Sequence, residues 1–287
     1  MNTIHEYFSQ VKLPDPHSHK GQNGKLLLIG GSELFHAASK WSLDTASRFV
    51  DMVFYCSVPS NNVLIQEAKK EFWEGIVIAR EDVENYISEA DVVLIGPGME
   101  RSEYHSTPEF HKPSAEEWNT DTAAVVNYLV HTYPDKRWVI DAGALQMIHP
   151  SLLTKNCIIT PHMGELDRLI SHFPKSETEE KNSIQTVLQT GCTILLKGHT
   201  DYVYSGTEVI EVTGGSAGMT KGGTGDVLAG LVAALFTQNS AVTSTVVGSY
   251  TNKKAGEALT KTVGPFFSAS DLVRVIPQVL WSELQSV

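Results

Sequence analysis

The sequence predicts an α/β protein in three α/β/α layers, with a central, mostly parallel sheet and an antiparallel hairpin at one edge. Short runs rich in Val, Ile and Leu recur along the chain with no polar alternation, the pattern of strands covered on both faces. Each run closes on a glycine or a polar loop, and helix-length amphipathic segments separate the runs. Only Tyr202-Val203-Tyr204 and Val209–Val212, which flank Ser205-Gly206, look like a hairpin extending the sheet.

The first run, Leu26–Ile29, ends on Gly30-Gly31-Ser32, and Val92–Ile95 ends on Gly96-Pro97-Gly98. Trp138–Ile140 leads into Asp141-Ala142-Gly143, Ile158-Ile159 into Thr160-Pro161-His162, and Thr193–Leu196 into Lys197-Gly198-His199. Ligands of open α/β sheets bind beyond the carboxyl ends of the strands, so these loops are expected to converge on one cleft.

The most informative segment is Gly222-Gly223-Thr224-Gly225-Asp226, directly before the apolar run Val227–Phe236. Val227, Leu228, Leu231, Val232 and Leu235 recur at helical spacing. The unpaired N–H groups of that helix's first turn carry partial positive charge, and glycines ahead of it leave room for phosphate oxygens. An Asp at a helix start is ordinarily an N-cap. A cap does not need three glycines beside it, whereas phosphoryl transfer needs donors around the moving group and a carboxylate to take the proton of the attacking hydroxyl. Two common nucleotide signatures are missing: there is no G-x-x-x-x-G-K-[ST], and Gly96-Pro97-Gly98 is followed by Arg101 where a dinucleotide fingerprint has its third glycine.

Composition narrows the class. The chain has 287 residues, 41% of them hydrophobic, enough for one large core in a single domain spanning 1–287. A formal net charge of -11 argues against a nucleic-acid surface. Cys56, Cys157 and Cys192 lie in or beside apolar runs without metal-type spacing, which predicts buried thiols in a reducing compartment. The N-terminus has no basic start or apolar core of a signal peptide, and no window reaches the roughly 18 apolar residues of a membrane helix, so no membrane association and a cytoplasmic location are expected.

Taken together, His19-Lys20-Gly21, Lys25–Ser32, Ile95–Gly98, Asp141–Leu145, Thr160-Pro161-His162-Met163-Gly164-Glu165-Leu166, Leu196-Lys197-Gly198 and Thr220–Gly230 resemble the ADP-dependent NAD(P)H-hydrate dehydratases, whose fold is that of the ribokinase-like small-molecule kinases. The resemblance covers most of the chain. The glycine-Asp turn alone marks only the broad superfamily; the T-P-H-x-G-E and K-G-G-T-G-D elements in this order are more specific.

The resemblance implies a cofactor-repair hydro-lyase. Its substrates would be the S epimers of NADH and NADPH hydrated at C6 (NADHX and NADPHX), with ADP as phosphoryl donor. The C6 hydroxyl would be phosphorylated and phosphate then expelled, giving NAD(P)H, AMP and phosphate. By the same carry-over Asp226 would be the base, and the N–H groups around Gly222, Gly223 and Gly225 would stabilise the transferred phosphoryl. Ala38, Gly98 and His162, with Asp226, would contact the hydrated nucleotide. Lys197, Gly198, His199, Thr200 and Asp201, with Gly225, would hold ADP. His36-Ala37 stands where Pro-Gly is usual in the family, and Glu100 where a glycine is common. The resemblance further suggests a homotetramer and a separate NAD(P)H-hydrate epimerase as functional partner. Magnesium is expected on charge grounds, although no carboxylate cage that would hold it is visible.

Each residue also has a plainer reading. His162 is either a substrate contact or a loop histidine bonded to backbone, and Glu165 either a site residue or a first-turn helix charge. Asp141 either orients a lysine or caps a turn, and Lys221 either neutralises a phosphate or is a solvated loop lysine. The insertion at about 100–122 is too long for an ordinary connection and reads as a lid or subunit-contact loop. A metal reading of His105 and His111 with Glu103 or Glu109 lacks tetrahedral ligand spacing. Two rival functions remain: an ATP-dependent kinase acting on a vitamin precursor or sugar, and a nucleotide sensor without chemistry.

Overall fold

The structure, a computed structural model, describes residues 4–101, 110–173 and 183–287. Among them nine strands form one sheet: β1 (Lys25–Ile29), β2 (Met52–Cys56), β3 (Ile76–Val77), β4 (Val92–Ile95), β5 (Arg137–Ile140), β6 (Cys157–Ile159), β7 (Thr193–Leu196), β8 (Asp201–Ser205) and β9 (Glu208–Val212). Their order is β3-β2-β1-β4-β5-β6-β7-β8-β9. Neighbours from β3 to β7 run parallel, and β8 and β9 are antiparallel additions at the edge. The expected runs are β1, β4, β5, β6 and β7, and the hairpin is β8 and β9. β2 and β3 lie outside the predicted runs: β2 closes on Ser57-Val58-Pro59 without a glycine, and β3 is a two-residue edge strand.

Alternation along the strands divides the interior into two cores, one on each face of the sheet. Leu26, Leu28, Leu94 and Val139 pack with the Thr224–Phe236 helix and with Val246, Val247 and Leu272 of the two helices after it. Leu27, Ile29, Val93 and Ile140 pack on the opposite side with Val83, Ile87 and the apolar residues of the Thr122–Thr132 helix. Every residue from Val227 to Phe236 is buried, so the helix that carries the glycine turn is part of the core rather than a surface element.

The chain builds outward from β1 through β2 to β3, then returns to β4 and builds in the other direction. The switch point therefore lies between β1 and β4. There Gly31 N donates to Pro97 O at 2.7 Å, and a Cβ on Gly98 would lie 2.8 Å from Phe35 O, so the two loops close on each other only because Gly98 has no side chain. This crevice is where doubly wound sheets receive ligands.

Cys56, Cys157 and Cys192 are buried free thiols, and burial pushes Cys56 up to about 11 and Cys192 up to about 12. Among the described residues no helix is long and apolar enough to cross a membrane. Within the insertion, Glu103, His105 and Glu109 lie outside the described residues. Its remainder is packed as well as polar: Trp118 is buried, Arg80 Nη1 donates to Trp118 O, and His111 Nε2 lies 3.6 Å from Glu117 Oε1.

Candidate active site

The turn before the Thr224–Phe236 helix contains glycines of two kinds. Gly223 is the N-cap residue at φ 95°, and a Cβ there would lie 2.4 Å from the Trp41 ring, so both backbone and packing require it. Gly222 would meet nothing within 4 Å, and Gly225 only Lys197 Nζ at 3.6 Å. The fold does not need glycine at these two positions; its absence of side chain leaves space at the helix N-terminus. Thr224 Oγ1 donates to Met219 O at 2.7 Å and to Lys221 O at 3.0 Å, holding the turn from below.

Because Gly223 is the N-cap, Asp226 is not: it sits in the first turn, three residues further on. Burial, then the charge of Asp141, push its pKa from 3.8 to about 7, with Glu165 adding to the rise and Lys197 opposing it. A carboxyl near 7 holds or gives up a proton at physiological pH, as a general base must.

Three adjacent strand ends build the surroundings of Asp226. Lys197 Nζ, after β7, donates to Asp141 Oδ1 at 2.9 Å, and Thr160 Oγ1, after β6, donates to the same oxygen at 2.6 Å. Asp141, after β5, is 2% exposed. Burial works against the Lys197 charge, but Asp141, Glu165 and Asp226 outweigh it and raise its pKa, so the ammonium stays charged. Asp141 thus orients a lysine, one of its two predicted alternatives. Ala142, the next residue, takes φ 47°, the left-handed region that an alanine adopts only when its surroundings enforce it.

His162 is in part the structural residue of its plainer reading. Its Nδ1 accepts from Glu165 N at 3.2 Å while Glu165 Oε2 accepts from His162 N at 2.9 Å, a capping box at the start of the Met163–Ser171 helix. With Nδ1 accepting, the ring proton is on Nε2, on a side chain 61% exposed. Glu165 caps from a buried position and also acts electrostatically on Asp226 and Lys197. Lys221 is neither free nor aimed at a phosphate: its Nζ donates to Pro265 O at 2.9 Å and Phe267 O at 2.6 Å.

Two clefts open at this end of the sheet where the sequence predicts one. The first, about 630 Å³, is lined by residues that include Ala38, Gly98, Ala142, Gly143 and His162. The second, about 680 Å³, is lined by Lys197, Gly198, His199, Asp201, Gly225 and others. Asp226 follows Gly225 of the second and is coupled to Asp141 and Glu165, whose neighbours Ala142 and Gly164 line the first. Thr200 lies in the turn between β7 and β8, half-buried, and is not among the lining residues. The Asp201 carboxylate is spent within the protein: it accepts from Gly198 N at 2.9 Å and Ser249 Oγ at 2.7 Å and pairs with Lys253 at 3.2 Å. Lys253 also donates to Gly198 O and His199 O. The sequence reading misses Lys253, whose spacing from Ser249 places both on one helix face, and Arg101, Gln146 and Arg168 in the first cleft.

A mostly parallel sheet, a helix N-terminus opened by glycines and a half-buried carboxylate in that helix's first turn define a ribokinase-like protein. Solved structures bear out that fold: a ribokinase-like superfamily protein from Enterococcus faecalis superposes with TM-score 0.78 at 22% identity, covering 98% of this chain and 95% of that one. An ADP/ATP-dependent NAD(P)H-hydrate dehydratase from Bacillus subtilis, co-crystallised with ATP and Mg2+, superposes with TM-score 0.72 at 20% identity, covering 98% and 97%. Within this class, the family described as NAD(P)H-hydrate dehydratase matches residues 26–278, and the chain belongs to that family. It is 34% identical over 275 residues to a bifunctional NAD(P)H-hydrate repair enzyme of Methanocaldococcus jannaschii, covering 93% of this chain and 50% of that protein. It is 33% identical over 278 residues to an ADP-dependent (S)-NAD(P)H-hydrate dehydratase of Cenarchaeum symbiosum, covering 92% and 90%. The chain thus spans half the length of the first relative and nine tenths of the second.

Proposed function

We propose that this protein carries out ADP-dependent dehydration of (S)-NADHX and (S)-NADPHX. The observation that carries the reading is Asp226: a carboxyl held near 7, one residue beyond Gly225 of the second cleft and coupled to Asp141 and Glu165 beside the first. Hydrated nucleotide occupies the cleft of Ala38, Gly98 and His162. ADP occupies the cleft of Lys197 to Asp201 and Gly225, with Lys253 and Asp201 setting the shape of its loop rather than touching it.

Asp226 takes the proton of the C6 hydroxyl as its oxygen attacks the β-phosphorus of ADP, and the bond from that phosphorus to the AMP oxygen breaks. The N–H groups of Gly222 to Gly225 and the Lys197 ammonium stabilise charge on the moving phosphoryl. The C6–O bond of the new ester then breaks, its electron pair leaving with phosphate, while the C5–H electron pair restores the C5=C6 double bond and the C5 proton passes to the departing phosphate. Phosphate leaves where hydroxide would not.

Among the described residues no three His, Cys, Asp or Glu converge to hold a metal ion; magnesium would be carried by the nucleotide phosphates and would neutralise their charge during transfer. We further propose one ribokinase-like domain, a homotetrameric state, a cytoplasmic location, a lid or subunit-contact role for the 100–122 insertion, and a separate epimerase that converts the other C6 epimer.

The test mixes purified protein with chemically hydrated NADH, magnesium and either ADP or ATP, and follows the absorbance of the reduced nicotinamide with AMP and phosphate. An ADP-dependent rise with equal AMP is expected. A stable phosphate ester would establish a kinase instead, and binding without turnover a sensor.

A further inference from the structure

The first cleft contains a charge pattern that the reaction does not use. The chain has six arginines against an excess of acids, and two of the six, Arg101 and Arg168, line this one cleft. They arrive from different elements: Arg101 from the loop after β4, Arg168 from the Met163–Ser171 helix. Both aim at one atom. Arg101 Nη1 donates to Gln146 Oε1 at 3.4 Å, and Arg168 Nη1 donates to the same oxygen.

Gln146 holds that oxygen in place. Its Nε2 donates to Ala142 O at 3.3 Å and Glu165 Oε1 at 3.4 Å, which turns Oε1 toward the two guanidinium groups. Neither arginine forms an ion pair among the described residues. Glu100 is the one acid among the lining residues, which leaves an excess of one positive charge. Two cations brought to one neutral amide oxygen repel each other, and an anion relieves that repulsion. The planar, forked guanidinium matches phosphate oxygens in pairs.

We propose that Arg101 and Arg168, positioned by Gln146, form a phosphate-recognising subsite of the substrate cleft that binds a phosphate of the dinucleotide. The inference rests on the assignment of this cleft to the hydrated nucleotide. Two phosphates have the required chemistry: the diphosphate bridge common to both substrates, and the 2′-phosphate that only the NADPH form has. A 2′-phosphate at the subsite would make these two arginines the determinants of substrate preference.

The test compares wild type with Arg101→Met, Arg168→Met and the double variant, which keep much of the aliphatic stem and remove the fork. Arg168→Lys keeps the charge without the fork. KM and kcat are measured with hydrated NADH and with hydrated NADPH at saturating ADP. Direct binding of the products NADH and NADPH is measured by titration calorimetry. Loss of a charge-assisted pair predicts roughly a tenfold or greater rise in KM and product Kd for the double variant, with the change in KM rather than kcat and partial recovery in Arg168→Lys. A rise confined to the NADPH pair assigns the 2′-phosphate, and an equal rise for both pairs assigns the bridge. Unchanged constants for both overturn the subsite while leaving the dehydratase reading intact. A wild type inert toward both hydrates overturns that reading instead, and the calorimetric Kd values then decide the subsite alone.

Discussion

The two clefts at the carboxyl end of the sheet are built from different materials. The second cleft is rich in glycine, with Gly198, Gly214, Gly215 and Gly225 in its lining, and of its charged residues Asp201 and Lys253 satisfy each other and the Gly198-His199 loop while Lys197 pairs with Asp141. The first cleft presents charged and polar side chains: Arg101 and Arg168, which form no ion pair among the described residues, and His162, whose side chain is largely exposed. In the proposed assignment the phosphate donor meets fixed N–H groups, which carry no sequence information beyond the absence of a side chain. The other ligand has to be discriminated, and discrimination needs groups that can be changed one at a time.

That contrast can be broken, starting at Asp226. Asp226→Asn should lower kcat by roughly 10² to 10⁴-fold, the usual worth of a positioned base, with both ligands still binding. In wild type, activity should climb as pH rises through about 7, where Asp226 loses its proton. The same group works against the fold. Its folded pKa of about 7 lies above the ordinary 3.8, so the folded state holds a proton that the unfolded chain has released between those values. Stability therefore declines as pH rises from about 4 to about 7. Above pH 7, Asp226→Asn should melt at a higher temperature than wild type despite its lower kcat.

Lys197→Met strips the partner from a carboxylate that is 2% exposed and should cost about 3 kcal/mol, at the low end for a broken buried pair because the lysine keeps some exposure. It should also move the acidic limb of the pH–rate profile upward, since Lys197 now holds the Asp226 pKa down. Both are read by denaturant unfolding and a pH series of kcat/KM.

The glycine turn gives the sharpest internal control. Gly223→Ala forces a methyl toward the Trp41 ring at a positive φ and should destabilise by more than about 1 kcal/mol. Gly222→Ala and Gly225→Ala have room, so unfolding should stay within about 0.5 kcal/mol of wild type while KM for ADP rises. If all three lose stability alike, the distinction between fold glycines and site glycines fails.

Most of the sheet was legible because its strands announce themselves by continuous apolar runs ending in glycine or polar loops. β2 escaped because Ser57-Val58-Pro59 gives no such signal, and β3 because two half-exposed residues make no pattern. The glycine-Asp turn was legible for a physical reason: local backbone chemistry lies in consecutive residues. The Asp141, Thr160 and Lys197 cluster was only partly so. Each residue stands visibly at a strand end, but their meeting depends on β5, β6 and β7 being neighbours, which is a property of strand order. Lys253 and Arg168 sit on helices and look like ordinary solvated residues until the fold turns them toward a cleft.

The indole of Trp41 gives the turn a further use. Its ring lies against Gly223 while its Nε1 donates to Ser270 Oγ at 3.0 Å, so one chromophore touches both the anion hole and the start of the last helix. Its emission should therefore act as a built-in optical gauge: if the proposed site is right, a phosphate arriving at the turn is expected to shift the spectrum, so that occupancy could be timed in stopped flow without a label, with Trp41→Phe as the control.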